Sequence, residues 1–278
     1  MVLTRGDPEP PELHDPAWDI RRDVLGGIWG YVRVAGAVGT LYLPGIGSFE
    51  FRAGGGHVEG RPDPNVTEAS FDDAYQRHVL PMVLHFRGLQ VLHGSAVGSA
   101  SGVHVFCGSS HAGKSTLAYA LQRRGYQVWA DDAVAFTSRR ESVCVVALPF
   151  ALRVRPEAAA FFGRPAAAAA VGGVETAPRA GIEHTIGELA SIASVSVLEH
   201  APAMISRIPP SESLPAILNH AFHFSLDDEA GRRRLATEFL RLISQVPLFR
   251  LSFPQGLNQL SGALDEVETR VFGSAAPA

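Results

Sequence analysis

The sequence predicts an α/β fold in which a P-loop core follows a small β-rich N-terminal region. Three observations predict this fold. A glycine loop at residues 108–115 stands between an apolar, strand-like segment and a helical one. A short strand-like segment that ends in two adjacent carboxylates, Asp131 and Asp132, follows the helix. Upstream, short alternating segments broken by glycines are typical of an antiparallel sheet.

The N-terminal part is predicted in order along the chain. Residues 1–18 are acidic and rich in proline, which predicts a disordered tail. Residues 28–58 alternate between glycines and predict a small antiparallel sheet, and residues 71–87 have apolar side chains at helical spacing. This places a β-rich region plus helix at residues 19–87, the P-loop core at 88–272 and a second tail at 273–278.

The loop matches the pattern GxxxxGK[ST] in full, through Gly108, Ser109, Ser110, His111, Ala112, Gly113, Lys114 and Ser115. Backbone N–H groups of such a loop surround a phosphate, and the positive end of the following helix faces it. Lys114 is expected to reach the β- and γ-phosphates of ATP, and the Ser115 hydroxyl to lie on the bridging Mg²⁺ ion. Thr116 is expected to assist from the first helical turn. A chance Gly/Ser turn is the alternative, and the flanking strand and helix patterns disfavour it.

The segment at residues 126–130 predicts a strand that ends at Asp131 and Asp132. After so short a crossover, this strand is expected to run parallel to the one before the loop and close to it. Its carboxyl end then opens onto the crevice that holds the phosphates. One carboxylate there can hold magnesium while the other accepts a proton from an attacking hydroxyl. A solvated Asp-Asp turn is the alternative.

His93 precedes Gly94 within strand-like sequence upstream of the loop. Histidine changes its charge near neutral pH, so His93 is a candidate to assist phosphate chemistry. A structural histidine with satisfied hydrogen bonds is the alternative.

These features together resemble the bacterial HPr kinase/phosphorylase family. The resemblance is carried, in this order and spacing, by His93-Gly94, the loop at 108–115, Arg124-Gly125 at the helix end, and Asp131-Asp132. It is closer to the shorter HPr-kinase-like proteins of peptide natural-product pathways, some of which phosphorylate a serine of a lasso-peptide precursor. The part of the chain that bears these motifs covers residues 89–136.

The resemblance implies a Ser/Thr-type hydroxyl kinase whose P-loop core is related to that of phosphoenolpyruvate carboxykinases. It implies that Asp131 is the catalytic base, that Asp132 serves the metal site, and that His93 contacts phosphate near the reaction centre. The loop differs from the family pattern, which has Asp at the position of Ser109 and Gly at that of His111. The family's downstream glycine-rich signature is not found in this chain, so the acceptor stays open between a lasso-peptide-precursor-like and an HPr-like substrate, and the phosphorylase activity stays open as well.

Composition limits the classes of partner and the compartment. A formal charge of −4 argues against a nucleic-acid partner, because binding to a phosphate backbone needs a basic surface. The sequence contains no uninterrupted apolar run of about 18 residues, so a membrane span is not expected. The N-terminus lacks the pattern of a secretion signal. Cys107 and Cys144 lie in apolar segments, which favours a reducing cytoplasm. The expected partner is a peptide or small protein with a serine hydroxyl, and a homo-oligomer stays open.

Lesser roles are assigned to residues outside these motifs. Residues 163–181 are rich in Ala and Gly and predict either an acceptor loop or lid, or a plain linker. Arg179 and Arg207 are candidates to stabilise a transferred phosphate. His220 and His223 are interpreted as residues that cap or pack a helix end rather than bind a metal.

Two functions of different classes stay open. The first is an ATP- and Mg²⁺-dependent kinase for a hydroxyl, most simply a serine of a peptide or small protein, with a small-molecule alcohol as a variant. The second is a nucleotide-binding regulator or ATPase without a phosphoacceptor. The close succession of P-loop and Asp pair favours the kinase, because an Asp base serves an acceptor hydroxyl that must lose a proton.

Overall fold

The computed structural model of the chain describes residues 2–6, 17–22, 26–52, 54–148, 152–162, 175–177, 187–222 and 229–273. The chain divides into two compact units, Met1–Gly88 and Leu89–Ala278. Both contain helices and sheets, so the chain is a mixed α/β protein.

The first unit contains a six-stranded sheet. Its strands are β1 (Val2–Arg5), β2 (Asp19–Arg22), β3 (Ile28–Ala35), β4 (Val38–Leu43), β5 (Gly47–Arg52) and β6 (His57–Pro62). Their order in the sheet is β1-β6-β5-β4-β3-β2. Neighbouring strands from β2 to β6 are antiparallel. Alternate side chains such as Leu41, Leu43 and Phe49 are buried, as the period-two pattern predicts.

A helical segment follows this sheet. It consists of α1 (Glu68–Ala74), a π-helical turn (Tyr75–Val79) and α2 (Leu80–Phe86). The Thr67 side chain caps α1 by accepting a hydrogen bond from the Ser70 N–H. Phe71 stacks on Phe49 with ring centroids 4.6 Å apart, so the helix packs on the sheet.

The prediction of disorder for residues 1–18 is wrong at its beginning. Val2–Arg5 forms β1, which pairs in parallel with β6 from Val2↔His57 to Arg5↔Gly60. Strand β6 otherwise has an unpaired edge, and β1 supplies hydrogen-bond partners for its backbone groups. The Arg5 guanidinium also bonds Glu68 and Asp72 of α1, at 2.6 Å and 2.7 Å. Residues 7–16 lie outside the described residues.

The second unit is built on an eight-stranded sheet and a separate strand pair. The pair is formed by β12 (Leu152–Val154) and β13 (Glu175–Ala177). The strands of the large sheet are β7 (Gln90–Ser99), β8 (Gly102–Gly108), β9 (Gln127–Ala130), β10 (Ala133–Ser138), β11 (Val143–Val146), β14 (Leu189–His200), β15 (Met204–Arg207) and β16 (Leu248–Phe253). Their order is β11-β10-β7-β8-β14-β16-β15, with β9 paired to β7 and an added β11–β14 pairing.

Helices of the second unit contribute to two apolar clusters. They are α3 (Lys114–Arg123), α4 (Pro156–Phe161), α5 (Pro210–Leu218), α6 (Glu229–Gln245) and α7 (Leu260–Arg270). Side chains of α3, α4 and α7 form one cluster, and those of α5 and α6 belong to the other. Along β8, Phe106 joins the first cluster while Val105 and Cys107 join the second. The core therefore lies on both faces of the sheet.

The strand before the Asp pair is not paired with β8 as a direct neighbour. Strand β7 lies between them, because β8 and β9 are both antiparallel to it. Strands β8 and β9 therefore point in the same direction, one strand apart. Their carboxyl ends, Gly108 and Ala130, lie at the same edge of the sheet, which brings the loop and the Asp pair together.

No helix in the described residues is long and apolar enough to cross a membrane. Cys107 and Cys144 are buried and are not joined by a disulfide.

Candidate functional site

The loop between β8 and α3 has the backbone conformations that its glycines allow. Gly108 and Gly113 have φ angles of 154° and 95°, which favour glycine. A Cβ atom at Gly108 would lie 2.9 Å from the carbonyl oxygen of Leu198, so no larger residue fits there. His111, at the position where the HPr kinase loop has glycine, has a φ of 70° in the left-handed region. The loop leads directly into α3, whose first-turn N–H groups face its ligand in a P-loop.

Lys114 is the first residue of α3, and its ammonium group lies against the loop backbone. Its Nζ donates hydrogen bonds to the carbonyl oxygens of Gly108 and Ser109, each at 3.0 Å, and the side chain is only 8% exposed. Burial lowers the pKa of its amine. The ammonium group is thus held next to the backbone that a P-loop wraps around phosphates.

Asp131 is a buried carboxyl group with three hydrogen-bond donors. Its Oδ1 accepts from the hydroxyls of Ser95 at 2.6 Å and Ser115 at 2.9 Å, and its Oδ2 accepts from the Arg153 backbone N–H at 2.9 Å. Burial, and then the neighbouring charge of Asp132, raise its pKa to about 6, against the opposing effect of the three donors. The carboxyl group therefore changes its protonation state close to neutral pH.

Asp132 has a different environment. Its φ is 64°, and its Oδ2 lies 3.5 Å from Nε of Arg153. The backbone oxygen of Asp132 is 3.0 Å from Nδ1 of His93. A carbonyl oxygen can only accept, so this Nδ1 carries a proton. Gly94 also donates its backbone N–H to that oxygen, at 3.4 Å. The His-Gly pair thus holds the backbone of Asp132 in its left-handed conformation.

Gly94 is required by the sheet itself. Strands β9 and β10 follow one another along the same edge of β7, and the two aspartates form the gap between them. A Cβ atom at Gly94 would lie 2.7 Å from the Phe106 carbonyl oxygen on β8. The predicted His93-Gly94 motif therefore combines a histidine bonded to the Asp132 backbone with a close approach of β7 and β8.

Arg153 and His220 join the site although the sequence analysis did not assign them to it. Residues 220–222 run beside β7 where β8 ends, and the His93 N–H donates to the His220 carbonyl oxygen at 2.7 Å. Burial lowers the pKa of His220, and Lys114 and His93 lower it further, which indicates that both basic groups are near. His220 does follow helix α5, as predicted, but nothing in the local sequence indicates its pairing with β7.

The other candidate cations and the predicted loop are placed as follows. Arg207 ends β15, three strands from β8 in the sheet order, which corresponds to about 14 Å at ordinary strand spacing. The structure therefore does not bring Arg207 to the loop. Arg179 and His223 lie outside the described residues, as does the predicted lid at 163–181 except for residues 175–177 in β13.

The oxygen atoms available as metal ligands at this site suit magnesium. Among the described residues, no three His, Cys, Asp or Glu side chains are grouped so that they could hold a metal ion. Magnesium beside a nucleotide usually takes one or two protein carboxylates, together with phosphates and waters. The Ser115 hydroxyl and the Asp131 and Asp132 carboxylates are hard oxygen donors of this kind. The residues present therefore fit a magnesium ion at this position.

Comparison with family models and with curated proteins gives no match for this chain. Among solved structures, the chain is similar to the Hpr(Ser) kinase/phosphatase from Coxiella burnetii. The sequences are 11% identical, the TM-score is 0.34, and the match covers 66% of this chain and 99% of that one. A TM-score this low assigns neither family nor activity, so the chemistry of the site depends on its own geometry.

Proposed function

We propose that this protein is a kinase that transfers the γ-phosphoryl group of ATP to a hydroxyl, with Mg²⁺ as its cofactor. The observation that carries the proposal is the contact between the buried Asp131 carboxyl and the Ser115 hydroxyl of the loop, at 2.9 Å. The pKa of Asp131 is raised to about 6, which suits a general base at neutral pH.

The loop holds the phosphates. Backbone N–H groups of the loop surround the phosphates, and Lys114 neutralises charge at the β- and γ-phosphates. Ser109, Ser110, His111, Ala112, Gly113 and Thr116 complete the nucleotide site with Gly108 and Ser115. Ser115 and Asp132 would hold the magnesium ion, which neutralises charge on the phosphates when it is bound.

The transfer step uses Asp131 as the base. Asp131 accepts the proton of the acceptor hydroxyl as that oxygen forms a bond to the γ-phosphorus. The bond from the γ-phosphorus to the β–γ bridging oxygen breaks, and its electron pair leaves with ADP. His93 contacts the transferred phosphate, and its Nδ1 bond fixes the neighbouring Asp132 backbone. Arg153 partly balances the charge of Asp132.

We further propose a serine of a peptide or small protein as the acceptor, in the cytoplasm, with neither nucleic acid nor membrane as a partner. The net charge of −4 supports the exclusion of nucleic acid, and the two unbridged cysteines support a reducing compartment. A homo-oligomer is compatible with this activity.

A labelling assay tests the proposed function. Incubated with γ-labelled ATP and magnesium, the protein is expected to label a serine-bearing peptide encoded beside its own gene. The same peptide with Ser→Ala is the control and should receive no label. Label on a small alcohol would change the acceptor class. ATP hydrolysis at the same rate with no labelled acceptor, or label on a histidine, would instead favour a nucleotide-driven regulator.

The pH dependence of transfer follows from Asp131. A base acts only when it is deprotonated, and the fold raises the pKa of Asp131 from 3.8 to about 6. We expect kcat/KM to rise about tenfold per pH unit below about 6 and to level off above it. A pH–rate profile, with folding followed by circular dichroism at each pH, measures this. A rate that does not fall with decreasing pH while the protein stays folded would contradict Asp131 as the base.

A further inference from the structure

A cleft of about 290 Å³ adjoins the P-loop. The loop contributes His111, Gly113 and Thr116 to its lining. Among the described lining residues there is no aspartate of the Asp131-Asp132 pair. Ser115 contacts Asp131, whereas the next residue, Thr116, lines the cleft. The loop thus adjoins the carboxylates at one place and the cleft at another.

Much of the cleft lining is apolar. Phe253, at the end of β16, is buried, and its ring lies 3.6 Å from a Cβ position built on Gly113. Ala158, Leu257 and Leu260 add aliphatic surface. This places an aromatic ring directly beside the loop backbone.

Polar groups of the lining can form hydrogen bonds. Arg155, Glu157 and Gln255 supply donors and acceptors, and all three are exposed to solvent. His200 is held in place by its Nε2, which donates to the His111 carbonyl oxygen at 3.1 Å, and by edge-on packing against Phe253 with ring centroids 5.8 Å apart. An apolar lining with a few polar groups is the usual composition of a small-molecule site.

We propose that this cleft binds the nucleoside half of the nucleotide, its base and ribose. The inference rests on the proposed function, because it takes the phosphates to lie in the P-loop. The terminal phosphate lies near Lys114 and the aspartates, since the lysine of such a loop reaches the β- and γ-phosphates. The α-phosphate and the nucleoside must then leave the loop elsewhere, and the cleft at Thr116 and Gly113 is open to receive them.

The chemistry of the cleft fits a nucleoside. A base presents a flat face that stacks on aromatic and apolar side chains such as Phe253 and Leu257. Its edge and the ribose hydroxyls need donors and acceptors, which Glu157 and Gln255 supply. The volume lies near the lower end of the roughly 300–1,000 Å³ typical of small-molecule sites, which suits half of a nucleotide.

His111 gains a role from this assignment. A non-glycine residue in the left-handed region is uncommon and costs conformational energy, and such residues concentrate at ligand sites. His111 is one of the residues that line the cleft. The left-handed residue of the loop thus lies beside the proposed nucleoside.

The test compares ATP with inorganic tripolyphosphate, which shares the phosphate chain but has no nucleoside. Leu257→Trp fills the cleft with a bulkier side chain at a half-buried position. Measured by calorimetry with magnesium, the Kd for ATP is expected to rise about tenfold or more, as loss of stacking and access would cause. The Kd for tripolyphosphate should change by less than about twofold, because its phosphates use only the loop.

Two further variants serve as controls for this experiment. Leu240→Trp adds the same bulk on α6 at a 50% exposed position outside the cleft lining, and it should leave both affinities unchanged. Leu257→Ala removes apolar lining without adding bulk, and it should weaken ATP by a few-fold while sparing tripolyphosphate. This second variant keeps the test decisive if Leu257→Trp does not fold.

Three results would overturn the nucleoside site. They are unchanged ATP affinity in both Leu257 variants, equal losses for ATP and tripolyphosphate in both, or a higher KM for the acceptor with ATP binding unaltered. Failure of the proposed kinase gives a different result. The native protein would then bind neither ligand, which removes both proposals, or it would bind ATP through the cleft without phosphorylating any hydroxyl, which removes only the kinase.

Discussion

Replacing Lys114 with alanine is expected to abolish phosphotransfer and to weaken ATP binding while the fold survives. The ammonium group neutralises charge that is greatest at the β- and γ-phosphates, and removal of one such donor typically costs about 10²–10³-fold in rate. Lys114 donates two hydrogen bonds to loop carbonyl oxygens. Their loss is offset by relief from burying a charge, so we expect a stability change of no more than about 2 kcal/mol.

Calorimetry of ATP binding and the transfer assay, with thermal unfolding as the control for folding, measure these effects. Lys114 is also the single lysine in the chain. Acylation of amines followed by mass spectrometry therefore reports on this residue and, apart from it, only on the α-amino group. ATP with magnesium should protect Lys114 from acylation. Unchanged ATP affinity together with normal turnover in Lys114→Ala would remove the loop from the site.

The parts of this site that could be predicted are those set by neighbouring residues. The loop and helix α3 follow from glycines at 108 and 113 and from the apolar spacing after Ser115. The strand before Asp131 follows from its short apolar run. The existence of β8, α3 and β9 was therefore predictable, and so was the shared edge where β8 and β9 end.

The parts that could not be predicted depend on contacts between distant segments. The sequence of each strand, taken alone, does not indicate that β7 lies between β8 and β9. The backbone N–H of Arg153 donates a hydrogen bond to Asp131, which is 22 residues earlier in the chain. The carbonyl oxygen of His220, after helix α5, accepts a hydrogen bond from His93 of β7. Neither position lies in a spacing pattern that local sequence reveals. Strand β1 was missed for the same reason, because four residues become a strand only through pairing with β6.

Asp131→Asn is expected to lower turnover by about 10²–10⁴-fold while ATP binding is retained, because an amide cannot accept the proton of the acceptor hydroxyl. The hydrogen bonds are not all preserved. One amide oxygen can still accept from Ser95 and Ser115, but the amide nitrogen then faces the Arg153 N–H that now bonds Oδ2. Thermal unfolding should therefore accompany the kinetics, to separate a loss of chemistry from a loss of folded protein.

Asp132→Asn is the matched comparison, since it makes the same change one residue along the chain. Its turnover should recover as magnesium is raised, because Asp132 is proposed to hold the ion, whereas that of Asp131→Asn should not. The opposite result, in which magnesium restores Asp131→Asn but not Asp132→Asn, would have a clear physical interpretation. Asp131 contacts the Ser115 hydroxyl at 2.9 Å, so a magnesium requirement raised by Asp131→Asn would mean that this carboxylate acts on the metal through Ser115. Asp132 would then be the base, and equal small losses in both variants would contradict either division of roles.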